Sequence, residues 1–233
     1  MILFSTIFEK AFHLFDDPDI TRKYYYDEAG FQQLMRQLLL IARDKFTTPT
    51  AVVDRLQEMD GPEGYVESDT GDGTNTYTLS HAVVNNGVGV GFTYKIGKEL
   101  VQGEYNPEDN SVTFPREITT EETWSVAWFY AGAFTADFSH CFRSDIPISV
   151  ILNQIVTILA YGILSVWGDQ EVGRVLEVRN ILTDTDFKMY SPANSARAKV
   201  EWRNQMNRDM DTLISELNWR IMGTPVGGSS FGK

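Results

Sequence analysis

Metal and nucleophilic chemistry need His, Cys and carboxylates at defined spacings, and this chain has few such groups. It contains three histidines, His13, His81 and His140, and one cysteine, Cys141. No two histidines lie four residues apart and HExxH is absent, so a helical zinc site is not expected. His140 and Cys141 are adjacent, but neighbours in an extended segment point to opposite faces, which separates a thiol from its base. The pair reads as a packed or interface His and Cys. Val88-Gly89-Val90-Gly91 has glycines but no full GxGxxG, and no Walker sequence or GxSxG occurs. Those glycines suit close packing or a bulge within a strand. The segment Ser68–Asn75, SDTGDGTN, offers Asp69, Asp72 and Asn75 as oxygen ligands, without the spacing or closing Glu of a calcium loop. Asp16, Asp17 and Asp19 read as a solvated helix end. Among 32 Asp and Glu, no pair stands out as an acid–base couple. The expectation is no catalytic residue, no cofactor and no metal, hence not an enzyme.

The aromatic residues say more. Trp124, Trp128, Phe129 and Tyr130 lie close together, and Tyr24, Tyr25 and Tyr26 form a run. Core packing accounts for part of them. Tyr and Trp also favour protein interfaces. Flat aromatic faces stack on sugar rings, so a carbohydrate-binding β module is one alternative.

The elements that would position these residues change type twice along the chain. Phe4, Ile7, Phe8, Ala11, Phe12 and Phe15 follow helical spacing, and the DDPD run at 16–19 stops that helix. Asp27 is a good N-cap for a second helix lined by Phe31, Leu34, Met35, Leu38, Ile41 and Ala42. Thr48-Pro49 reads as a cap with proline at the first helical position, opening a short helix with Val52, Val53, Leu56 and Met59. From Gly61-Pro62 to about Phe134 the pattern is strands. Asn86-Gly87 predicts a short hairpin turn. ELVQGEY and SVTF are two runs joined by a Pro/Asp/Asn turn. TWSVAWFYA puts Trp124, Val126, Trp128 and Tyr130 on one face, and its apolar second face predicts a central strand.

Helix then returns. Asp145 caps the apolar segment Ile146–Trp167, with Gly168 just beyond its end. QEVGRVLEVRNIL is helix or strand, and LTDTDFKMY is a connecting loop. Ser191-Pro192 opens a long helix to about Met222, with Gly223 at C′. Val200, Met206, Met210, Leu213, Leu217 and Ile221 make a seam suited to another helix. The fold class expected is α+β: a helical bundle from the N- and C-terminal segments, with an inserted small antiparallel β-sandwich or barrel. The expected parts are a helical frame over 1–60, an acidic β module over 61–145, more frame over 146–223, and a flexible tail over 224–233.

Composition bounds the function. With 42% hydrophobic and 22% charged residues the chain is not globally disordered. One cysteine excludes an intramolecular disulfide scaffold. The net charge is −12, and it is uneven: −3 over 1–60, −9 over 61–145 and zero over 146–233. Tight binding to nucleic acid through a basic face is therefore not expected. The N-terminal run carries Glu9 and Lys10, with no basic segment before it, so no signal peptide is expected. Ile146–Trp167 is about long enough to span a bilayer. Asn153 and Gln154 near its middle, with Ser149, Thr157 and Ser165, favour a buried core helix, so no membrane partner is expected.

From Phe92 to Phe134 the chain resembles virion proteins of tailed bacteriophages. There, a strand ending in Tyr leads through an Asp/Asn turn into a VTF strand, then a polar stretch and a strand ending in YYAG-F. The positions that match are Tyr105, Asn110, Val112, Thr113, Phe114, Trp124, Val126, Tyr130, Ala131, Gly132 and Phe134. The helical frame is similar to the head–tail connector class of adaptor, head-completion and neck proteins. The resemblance implies a structural virion protein in the phage neck, made in the host cytoplasm. It implies a homo-oligomeric ring of about six or twelve copies. Its partners would be portal and tail or neck proteins, with DNA passing through unbound. A tail-terminator or baseplate component is the alternative within this class. The residues expected at interfaces are Trp124, Trp128, Tyr130 and Phe134 on the strand side. On the helical seam they are Val200, Met206, Met210, Leu213, Leu217 and Ile221.

Overall fold

A computed structural model describes residues 1–15, 17–135, 137–138, 146–182 and 192–222. In chain order, β1 (Ile2–Leu3) and α1 (Phe4–Phe12) are followed by α2 (Pro18–Tyr26), α3 (Glu28–Lys45) and α4 (Thr50–Val53). Strands β2 (Glu58–Met59), β3 (Glu63–Thr70) and β4 (Thr76–Thr78) come next, then β5 (Val90–Ile96), β6 (Glu99–Val101) and β7 (Glu104–Asn106). The series ends with β8 (Ser111–Thr113), β9 (Thr123–Tyr130), β10 (Ala133–Phe134), α5 (Ile148–Leu182) and α6 (Pro192–Met222). The class is α+β. Three antiparallel sheets have the orders β1-β10-β2, β3-β9-β5-β6 and β4-β8-β7, and none closes on itself. Expectations resting on Asp16, His140, Cys141, Asp145, the 183–190 loop, Ser191, Gly223 and the 224–233 tail lie outside the described residues.

Contacts divide the chain into two compact units: 1–37 with 58–135, and 38–57 with 136–233. Thus α1, α2 and the first part of α3 group with the strands, while the rest of α3 and α4 group with the C-terminal helices. The cause is aromatic burial. Phe4 and Phe8 of α1 are fully buried, and the Phe4 ring lies 4.5 Å from Phe134 of β10.

In the first unit, β9 is central to the four-stranded sheet and its side chains alternate as the sequence reading requires. Trp124, Val126, Trp128 and Tyr130 are buried, and Trp128 lies opposite both Tyr65 and Phe92. The β4-β8-β7 sheet adds Tyr77 and Val112 to the same core, with Tyr77 and Trp124 rings 4.8 Å apart. β7 and β8 pair across the expected Asn106–Asn110 turn.

Several local expectations change. The first helix ends at Phe12, before Phe15 and the DDPD run, and the run instead starts a helix: Asp17 accepts the Asp19 and Ile20 amides at 2.8 and 3.0 Å, with Pro18 at the first helical position of α2. Pro49, not Thr48, is the residue that precedes α4. Within α3, Ile41 is exposed and Leu39 takes a buried place. Asn86-Gly87 does not make a hairpin. Asn85, Asn86 and Gly87 all have positive φ in a short 3-10 turn, and β4 pairs with β8 while β5 pairs with β9 and β6. Buried Leu79 and Val83 anchor the 79–89 segment to the core, so it cannot run as a strand paired to β5.

The α3 N-terminus is bound to β5. Asp27 caps the helix by accepting the Gly30 amide at 3.2 Å. Thr93 Oγ1 donates to Asp27 at 2.9 Å and accepts the Ala29 amide at 3.1 Å. Glu28 accepts the Phe92 amide at 3.2 Å. Gly91 makes this approach possible, since a Cβ there would lie 2.9 Å from the Glu28 carbonyl oxygen. Gly91→Val is expected to destabilise the chain by about 2 kcal/mol or more, as overpacking does. Urea denaturation followed by circular dichroism checks this, and an unchanged midpoint contradicts it.

Candidate assembly surfaces

The side chains expected at the strand interface pack inside the chain instead. Trp124, Trp128, Tyr130 and Phe134 are all buried, at 5, 3, 2 and 0% exposure. Trp128 is covered by Tyr65, whose ring stacks on it at 5.5 Å. The physical reason is that β9 and β10 are each the inner strand of their sheet, so these side chains are spent on the core. Neither tryptophan offers an open face to a sugar or a partner.

The helical seam is likewise used within the chain. α5 and α6 pack together as an antiparallel pair, with Met210 and Leu217 buried and Val200, Met206, Leu213 and Ile221 half-buried. Gln154 donates to the Leu213 carbonyl at 3.1 Å, and Lys199 pairs with Glu171 at 2.8 Å. Gly168 does not end a helix. α5 runs straight through it, because a side chain there would meet Trp202 at 3.0 Å and Arg203 at 3.2 Å where α6 crosses. Ile148–Arg174 is long and apolar enough to cross a membrane by length and composition, and 61% of its most apolar window is buried within the chain.

Two surfaces among the described residues are exposed and unpaired. In the second unit, the antiparallel pairing sets Trp219 level with Ile148. Trp219 is 59% exposed, and Ile148 and Val150 are 45 and 42% exposed. In the first unit, β3 is an edge strand eight residues long. It pairs with β9 and with no other strand among the described residues. Val66 is 66% exposed on it, beside the charges of Glu63, Glu67 and Asp69. An exposed edge is a template for a further strand, and charge is the usual device that restrains it.

Beside that edge lies a polar cluster that sequence reasoning missed. Glu67 accepts the Ser80 and His81 amides at 2.9 and 2.8 Å and meets His81 Nδ1 at 2.9 Å. His81 Nε2 lies 2.6 Å from the Tyr65 hydroxyl. Tyr65 and Glu67 are two apart on a strand and so share a face, which was legible. That the 79–83 segment folds back onto them was not. Burial pushes the Glu67 carboxyl up, but the Ser80 amide, the His81 ring and the His81 amide bring it below the ordinary value. In the SDTGDGTN segment, Asp72 bonds within its own loop and accepts Thr74 N at 3.0 Å and Thr74 Oγ1 at 2.6 Å. No group of three metal-binding side chains occurs among the described residues.

A carboxyl held lower in the folded chain than in the unfolded one stabilises above the unfolded pKa and loses that contribution as pH falls through the folded value. Glu67→Gln is therefore expected to cost about 1 kcal/mol near neutral pH. The gap to the parent should close on acidification below about pH 4. Thermal melts across pH, with hydrogen exchange at the Ser80 and His81 amides, check this; equal protection in both chains contradicts it. Comparison with protein families, with characterised proteins and with solved structures found no match.

Proposed function

We propose that the chain is a structural subunit of a tailed-phage particle, closing into a ring at the neck between portal and tail around a channel for DNA. One observation supports this above others: among the described residues each compact unit leaves a surface unpaired, and the two surfaces are unlike. A closed ring larger than a dimer needs two different complementary faces on every copy, because its interfaces are head-to-tail. The β3 edge, with its unpaired backbone and exposed Val66, and the exposed Ile148, Val150 and Trp219 of the helix pair are two unlike surfaces on one copy. The helix pair serves as the frame, and the sheet-bearing unit is the module that meets the next ring. The charge of −12 suits a channel through which DNA must slide, since acidic walls repel phosphate.

The test is native mass spectrometry with negative-stain imaging of the full chain. The expected result is closed rings of about six or twelve copies. Each copy is 26.4 kDa. Ile148→Asp with Trp219→Asp is expected to dissociate them by at least about tenfold in concentration, as loss of one buried anchor does. The far-UV spectrum should stay unchanged. A monomer at every concentration, with and without purified portal, overturns the ring. Gold label at the distal tail tip of virions overturns the neck position in favour of a baseplate component.

A further inference from the structure

A cavity of about 550 Å³ opens in the first unit between the N-terminal helices and the sheet. Its wall carries Tyr24, Tyr25, Tyr26, Phe92 and Tyr94, with the carboxylates of Glu28 and Glu104. No Lys or Arg lines it. The Tyr94 ring lies across Gly103, where a Cβ would stand 2.6 Å from the ring, so the floor is open only because residue 103 has no side chain.

Glu28 is the key group. One carboxylate oxygen accepts the Phe92 amide at 3.2 Å, and the other takes no hydrogen bond among the described residues. Burial raises the Glu28 carboxyl above its ordinary value, with the Phe92 amide opposing. Burial also raises the Tyr94 hydroxyl, helped by the charges of Glu28 and Glu104, so that phenol stays neutral. A half-buried carboxylate in a cavity lined by aromatic side chains, with no Lys or Arg on its wall, is complementary to an organic cation. Cations bind aromatic faces through the ring quadrupole, and the gain grows with desolvation. A guanidinium fits better than an ammonium, because it is planar, stacks on rings and presents five donors in a fork.

We propose that this cavity is a docking site for an arginine side chain presented by another polypeptide. The guanidinium lies among the aromatic side chains, donates to the Glu28 carboxylate, and is drawn in by Glu104. The site is independent of ring formation. It also gives the Tyr24–Tyr26 run a use beyond core packing, since Tyr25 and Tyr26 are 55 and 44% exposed.

The test is NMR titration of the full chain with N-acetyl-arginine methylamide, with N-acetyl-citrulline methylamide as the neutral isostere. Saturable shifts confined to Tyr24–Glu28, Phe92–Tyr94 and Gly103–Glu104 are expected, with a dissociation constant on the order of 1 mM for so small a probe. The citrulline probe should bind at least about tenfold more weakly, because a charge-assisted bond is lost. Glu28→Gln should weaken arginine binding to the same extent. If Glu28→Gln does not fold, Glu104→Gln, on the rim, is expected to weaken it about threefold. Equal shifts with both probes overturn the proposal and point to a neutral ligand such as a sugar. No saturable shift, or shifts elsewhere, also overturns it.

Discussion

The first turn of α3 is tied to β5 by polar bonds, and the arrangement of the first unit depends on that tie. A helix start carries amides with no partner in the helix. Here two of them are satisfied locally: the Gly30 amide by Asp27, and the Ala29 amide by Thr93 on the strand. Each such bond contributes about 1 kcal/mol net, yet an orphaned buried amide costs more than that. Apolar contacts such as those of Phe31 and Met35 tolerate sliding; a bonded Thr93 flanked by Asp27 and Ala29 does not. The helix register on the sheet is therefore set by hydrogen bonds, and the hydrophobic face follows. Because β5 neighbours β9, the same tie orients the core strand, and it shapes the wall on which Glu28 meets the tyrosines.

Much of this was readable from residue order. The helical spacing of Phe4, Ile7, Phe8 and Ala11, the cap at Asp27, the Asn106–Asn110 turn and the central place of β9 all come from local rules. Those rules act over a few residues, and the structure obeys them. What was not readable depends on distant segments. Asn86-Gly87 has hairpin chemistry, but Leu79 and Val83 are held in the core and the flanking strands find other partners. Gly168 resembles a helix stop until α6 is present to use its missing side chain. The tryptophans of β9 look like interface residues because their types suit interfaces equally well. Only the sheet order shows that they are consumed within the chain. The cluster of Tyr65, Glu67 and His81 was half visible, since the strand pair shares a face but its histidine arrives from a loop fourteen residues on.

The two units use polar groups differently. In the first, carboxylates sit at edges and mouths: along β3, beside His81, and at the cavity. Arg116 holds Glu122 with two hydrogen bonds of 2.8 and 2.7 Å, and that carboxyl falls to about 2. Such groups leave the negative charge of the strand-rich third mostly on the outside, where it acts on whatever approaches. In the second unit the charges are balanced and pair across helices, as Lys45 does with Asp169 at 2.8 Å and Lys199 with Glu171. Acidic character is thus a property of one unit, not of the chain as a whole.

The polar residues within α5 have a further effect. A helix that is apolar nearly all round has no single face to present, so a partner could lie against it at several rotations and offsets. Gln154 and Ser165 are eleven residues apart, which is close to three turns, so they fall on one side. Gln154 donates to the Leu213 carbonyl, and Ser165 donates to Asn207 and accepts from Lys45. A shift of α6 by one turn would break the Gln154 bond to the Leu213 carbonyl and the Ser165 bond to Asn207 together. They act as index pins: they add little cohesion, but they select one setting of the helix pair from several that would bury the same area.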